Sequence, residues 1–128
     1  MTRATVEKSE RSLCVLVVED EFFIALELET TLIDAGFRVL GPVGTVADAL
    51  DVIEDDRPDA AVLDVNLGRE RVTPVAIHLN QIGVPFVLAS AMSAAELARD
   101  CSLADAPNVG KPTRRSDLVL AVKQLFTA

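Results

Sequence analysis

Short apolar, β-branched runs alternate without a break with segments that repeat apolar residues at helical spacing, and that alternation leaves this chain few folds. Residues 13–18 have the length and composition of a strand buried on both faces. Within 21–35, Ile24, Leu28, Thr31, Leu32 and Ala35 fall on one helical stripe, and Gly36 stands where a left-handed cap would end it. A second strand over 37–40 is stopped by Gly41 and Pro42. Thr45 and Asp48 then form a capping box, with Asp in place of Glu or Gln, for a helix that turns Val46, Ala49, Leu50 and Ile53 inward. Pro58 ends that helix before a third strand over 59–64.

Residues 66–69 read as a loop. Thr73 and Pro74 read as the cap and first residue of a helix that Gly83 ends. A fourth strand covers 84–89, and Ser93 with Glu96 caps a helix running to about 104. A short fifth strand is expected over 108–110. Leu118, Val119, Val122, Leu125 and Phe126 form the apolar stripe of a last helix. Parallel strands need right-handed crossovers, so five strands alternating with five helices predict a doubly wound α/β sheet.

The chain has 128 residues, enough for one domain with a core that needs no staples. Residues 12–128 are assigned to that domain, and 1–11, polar and mixed in charge, to a flexible leader without the apolar core of a signal peptide. A net charge of −8 argues against nucleic acid as a partner, and Arg114-Arg115 is too short a basic run to change that. No apolar run approaches the roughly 18 residues of a membrane span. A soluble, cytoplasmic protein is expected. Cys14 and Cys101 lack a metal-ligand or redox spacing; the first reads as core and the second as helical filler. His78, the one histidine, lies inside a helix and reads as a surface or boundary residue.

The strand ends carry the chemistry. Glu19 and Asp20 close the first run, Asp64 the third and Ser90 the fourth, and Lys111-Pro112 follows the fifth. In an open parallel sheet those ends meet at one crevice. Three carboxylates there repel one another unless a cation sits among them, and hard oxygen donors favour Mg²⁺, with Mn²⁺ able to substitute. A carboxylate can attack a phosphoryl group to give an acyl phosphate, a reaction that needs metal and positioned donors more than acid–base groups. A lone Asp after a strand is more often a turn former. Asp64 is set apart by Asp20, Ser90 and Lys111 at matching strand ends.

Four segments, Val17-Val18-Glu19-Asp20-Glu21, Val62-Leu63-Asp64-Val65-Asn66, Leu88-Ala89-Ser90-Ala91 and Gly110-Lys111-Pro112, resemble in order and spacing the four signatures of bacterial response-regulator receiver domains. The resemblance covers 12–127 and is to a stand-alone receiver. It implies a flavodoxin-like, three-layer fold with a five-stranded parallel sheet in the order 2-1-3-4-5 and five helices. It implies that Asp64 accepts a phosphoryl group from a histidine kinase or histidine phosphotransfer protein, and that the protein is not otherwise an enzyme. Mg²⁺ would be held by Asp20, Asp64 and the carbonyl of Asn66, with Glu19 acting through a metal-bound water. Ser90 and Lys111 would contact the phosphoryl oxygens.

One position departs from the pattern. Such domains carry Tyr or Phe three residues before the lysine, where this chain has Asn108. A smaller switch is therefore expected, carried mainly by the loop at 90–92 and the first turn of the following helix. The fourth helix, fifth strand and last helix form the expected signalling face, toward an unknown downstream protein or a second copy of the chain. Two other functions compete. A phosphatase of the haloacid-dehalogenase type wants a second Asp where Asn66 stands, and a cap domain. A pure scaffold would lack the acceptor, a metal carboxylate or the lysine, and all are present.

Overall fold

Alternate side chains of the first strand, β1 (Cys14–Val18), enter two separate cores, so the strand is buried along its whole length. Val15 and Val17 pack with Leu28, Leu32, Leu118 and Val122; Leu16 and Val18 pack with Ala49, Ile53, Val75 and Leu79. Burying each such side chain contributes about 1.5–3 kcal/mol. The structure is a computed structural model and describes residues 13–127. The leader assigned to 1–11 lies outside the described residues.

The two cores define three layers. Helices α1 (Phe22–Asp34) and α5 (Arg115–Gln124) cover one face of the sheet. The other is covered by α2 (Val46–Asp55), α3 (Thr73–Gln81) and α4 (Ala94–Leu97). Between them, β2 (Arg38–Val43), β1, β3 (Ala60–Leu63) and β6 (Phe86–Leu88) pair in that order, all parallel. With β6 counted as the fourth strand of the parallel sheet, this is the flavodoxin-like order 2-1-3-4. The fifth position is a single parallel bridge, Leu88 to Asn108, flanked by Leu88 N–H to Pro107 O and Val109 N–H to Leu88 O, both 2.8 Å. A longer ladder does not form there because Pro107 has no N–H and Asn108 spends its side chain on neighbouring backbone.

Four local expectations are corrected. Gly41 and Pro42 do not stop β2. The strand passes through them as a one-residue bulge, with Leu16 opposite Leu40 but Val18 opposite Val43. Gly41 makes this possible: its φ is +86°, and an added Cβ would lie 2.8 Å from Val43 N and 3.0 Å from Val17 O. The loop at 66–69 is instead the turn of a hairpin, β4 (Asn66–Leu67) against β5 (Glu70–Arg71). Thr73 does not cap α3. The cap position is Val72, and the Thr73 hydroxyl donates instead to Asp100 Oδ2 at 2.7 Å.

The fourth correction is the length of α4. The Ser93–Glu96 capping box forms as expected, at 3.2 and 2.9 Å, yet the helix ends at Leu97 rather than near 104. Asp100 Oδ1 accepts from the Ser102 backbone N–H at 2.9 Å and from the Ser102 hydroxyl at 2.5 Å. Those local bonds compete with a further helical turn. Cys101 consequently sits on an exposed turn rather than in a helix.

Candidate functional site

Parallel register brings the acidic strand ends level. Val18 lies opposite Leu63, and Asp64 N–H donates to Val18 O at 2.9 Å, so Glu19 and Asp64 leave the sheet side by side. The bulge in β2 delivers Val43 O to Glu19 N–H at 2.8 Å, which fixes the backbone where β1 ends. Glu19 Oε2 then accepts from Glu21 N–H at 3.0 Å. Carboxylate oxygens of Glu19, Asp20 and Asp64 all lie within 4.8 Å of one another, with Glu19 and Asp64 buried and Asp20 exposed.

Lys111 enters from the far side. Its Nζ lies 3.0 Å from Asp64 Oδ2, as a hydrogen bond, and 3.0 Å from Glu19 Oε1, as an ion pair. The second contact is poorly aligned, and Glu19 Oε1 is a fully buried oxygen with no hydrogen-bond partner. Burial pushes the Glu19 carboxyl above its usual range; the Asp64 charge adds to this, and the Glu21 N–H and Lys111 oppose it without prevailing. Burial alone would lower the Lys111 ammonium, but its bonds to Glu19 and Asp64 outweigh that and raise it. The Lys111–Pro112 peptide is cis.

Ser90 stands one residue past Ala89, whose N–H donates to Leu63 O at 2.9 Å, so its buried hydroxyl lies at the same edge as Asp64. Ser90 Oγ accepts from Met92 N–H at 3.0 Å, leaving the hydroxyl proton free to donate elsewhere. Asn66 begins the hairpin two residues beyond Asp64, with Gly68 close to Asp20. Glu70, in the same hairpin, reaches across to accept from Val46 N–H at 3.1 Å and so satisfies a free amide at the start of α2. His78 lies on α3 and takes no part. A surface groove of about 920 Å³, lined by Arg71, Thr73, Ile77, Asn80 and Arg99 among others, contains none of the clustered carboxylates.

The sequence reading missed what Asn108 does. It registered an absent aromatic, whereas the structure shows an amide bonded to Ser90 and Gly110. An Asn just beyond a Pro, next to an expected strand, was the available signal.

The cluster fits a divalent cation on its own chemistry. Three clustered carboxylates against the Lys111 ammonium leave two negative charges, and the buried Glu19 Oε1 meets that ammonium only in a poorly aligned contact. An open parallel sheet carrying these groups at its C-terminal edge defines an α/β domain suited to accept a phosphoryl group.

No protein-family model matches the chain. It is 40% identical to SdrG from Sphingomonas melonis Fr1, over 90% of this chain and 97% of that one, with a TM-score of 0.76. A response regulator receiver protein from Sinorhizobium medicae WSM419 is 30% identical over 91% and 96%, with a TM-score of 0.81. The transcriptional regulatory protein PdtaR of Mycobacterium tuberculosis is 29% identical over 111 residues, 85% of this chain. The chain spans about half, 54%, of that relative's length. By these likenesses the chain belongs to the response-regulator receiver family, the phospho-accepting domains of two-component signalling. Among the described residues no helix is long and apolar enough to cross a membrane.

Proposed function

We propose that Asp64 is the phosphoacceptor, taking its phosphoryl group from a phosphohistidine on a histidine kinase or phosphotransfer protein. The observation that carries the reading is the convergence of Lys111 on Asp64 and Glu19, beside Asp20. A carboxylate oxygen of Asp64 attacks phosphorus, the P–N bond breaks, and the departing imidazole keeps the bonding electrons and takes up a proton. The product is an acyl phosphate. The Lys111 ammonium, already 3.0 Å from Asp64 Oδ2, offsets charge on the phosphoryl oxygens, and the Ser90 hydroxyl has its proton free to donate to one of them.

Asp20, Asp64 and the Asn66 carbonyl would hold Mg²⁺, with Glu19 acting through a bound water. The bound ion supplies the positive charge that lets one anion approach another. Glu19, pinned by Glu21 N–H and close to Lys111, keeps the ammonium and the acceptor carboxylate in register. No other catalytic activity is proposed. The phosphorylated domain acts by contact with a downstream protein or a second copy of itself, through α4, the bridge at Asn108 and α5, in the cytoplasm. Residues 12–128 form the receiver unit.

Incubation with acetyl phosphate and Mg²⁺, read by intact mass, tests the central assignment. Wild type should gain one phosphoryl group and Asp64→Asn none. Labelling of Asp64→Asn at the wild-type level would overturn it.

A further inference from the structure

Asn108 makes three side-chain hydrogen bonds: two cross to the loop that carries Ser90, and the third is local, to Gly110 in the loop that leads to Lys111. Its Oδ1 accepts from Ser90 N–H at 3.0 Å and from Gly110 N–H at 3.1 Å, and its Nδ2 donates to Ser90 O at 3.1 Å. One planar amide therefore grips both the N–H and the C=O of a single residue, as the next rung of a sheet would. Only an amide does this: a carboxylate supplies the acceptor half alone, and an aliphatic side chain supplies neither.

The groups on either side are fixed as well. Ser90 Oγ accepts from Met92 N–H at 3.0 Å, and Gly110 O accepts from the Thr113 hydroxyl at 2.6 Å. Lys111 follows Gly110 directly and reaches back to Asp64. The chain from Ser90 through the Asn108 amide to Gly110 and Lys111 is thus continuous. Asn108 itself is exposed, so nothing in the core depends on its side chain.

We infer that Asn108 is a positioning residue for phosphoryl transfer to Asp64: its amide clamps the Ser90 peptide to the Gly110 turn and holds the Ser90 hydroxyl and the Lys111 ammonium at a set separation before the phosphoryl group arrives. Donors arranged in advance need no reorganisation during the reaction, and small displacements of positioning groups cost large factors in rate. The clamp also makes the two loops one unit. An inward movement of Ser90 must carry Asn108 and Gly110 with it or break the two bonds between Asn108 and Ser90. The inference rests on the phosphoacceptor reading of Asp64.

The test compares wild type with Asn108→Ala and Asn108→Asp in three measurements: Mg²⁺ titration, the rate of labelling by acetyl phosphate as its concentration is varied, and amide hydrogen exchange at Ser90 and Gly110. Asn108→Ala should lower the limiting labelling rate about tenfold, the scale expected for misplaced groups. Mg²⁺ affinity and the acetyl phosphate KM should stay within about twofold, since ground-state binding is untouched. Exchange at Ser90 and Gly110 should speed up, and Asn108→Asp, which keeps the two accepted bonds, should recover part of the rate. A residue with a merely structural role would move Mg²⁺ affinity together with the rate. Wild type that labels while Asn108→Ala labels equally fast overturns the clamp. Wild type that takes no label overturns the phosphoacceptor reading instead.

Discussion

The Lys111 ammonium lies 3.0 Å from Oδ2 of Asp64, although 47 positions of sequence separate the two residues. Among the described residues it is also the cation that pairs with two of the three clustered carboxylates, Glu19 and Asp64. Lys111→Ala leaves Glu19 and Asp64 facing each other with no counter-charge, so without Mg²⁺ the protein should lose about 2 kcal/mol of stability at neutral pH, within the range for stranding a buried polar partner. The variant should still fold. Phosphotransfer to it should be impaired even with saturating Mg²⁺. Denaturant unfolding and labelling measured on the same sample check both halves, and wild-type labelling by the variant would remove Lys111 from the mechanism.

Mg²⁺ should stabilise the protein and bind at millimolar strength, since few protein ligands leave several waters on the ion. Binding confined to the native state raises stability by mass action. Asp20→Asn removes the most exposed of the three carboxylates without touching the core, so it should weaken binding roughly tenfold or more, as loss of a charged ligand does. Calorimetric titration reads this directly. Unchanged affinity would place the ion elsewhere.

Gly41 and Gly36 separate backbone strain from steric conflict. Both have positive φ, +86° and +97°, but an added Cβ at Gly36 meets open space, whereas at Gly41 it meets Val43 N at 2.8 Å and Val17 O at 3.0 Å. Gly36→Ala should cost about 1 kcal/mol, the conformational penalty alone. Gly41→Ala should cost about 2–4 kcal/mol, because backbone must also shift. It should disturb the Glu19 N–H to Val43 O bond, and with it Mg²⁺ affinity. Equal destabilisation by the two substitutions would count against the bulge as a support of the acidic cluster.

The alternation of apolar runs made the layers and strand order legible, because a strand buried on both faces, such as Val15 to Val18, leaves little choice of neighbours. Glu19, Asp20, Asp64 and Lys111, which the sequence placed at one crevice, do meet there. What escaped was non-local or depended on backbone geometry. Thr73 looks like a helix cap until Asp100, brought in from another part of the chain, takes its hydroxyl. Asp100 also ends α4 early through Ser102. Gly41-Pro42 reads as a stop, and only a bulge at that position lets the strand continue. The amide of Asn108 has no local pattern that announces which peptide it will grip.

Asp100 gives the short α4 region a pH dependence. Burial would raise its carboxyl, yet hydrogen bonds from Ser102 and Thr73 outweigh burial and hold it below the ordinary 3.8. A carboxylate with a depressed folded-state value contributes stability above its unfolded value and loses it as pH falls through the folded one. Asp100→Ala should therefore be less stable than wild type by about 1–2 kcal/mol near pH 6, the scale of hydrogen bonds to a charged acceptor. That gap should narrow as pH drops below 3.8. A gap that stays constant down through acid pH would show that the carboxylate charge contributes nothing.

Phe22 and Phe23 open α1 directly after the acidic cluster, and they are 70% and 76% exposed. Their rings pack edge to face at 5.3 Å, so the pair presents one apolar knob next to Asp20. With Asp64 as the proposed acceptor, a protein donor docking over the start of α1 would meet this knob, whereas acetyl phosphate is small enough to enter without touching it. Serine at both positions removes apolar surface that the fold does not bury, so stability should change by no more than about 0.5 kcal/mol. Transfer from a phosphorylated histidine phosphotransfer domain that labels wild type should slow at least tenfold, the scale for losing an aromatic anchor worth about 2 kcal/mol. Labelling by acetyl phosphate should be unchanged. If both donors slow equally, the substitutions act on the acceptor site itself, and if neither slows, the protein donor docks on another face.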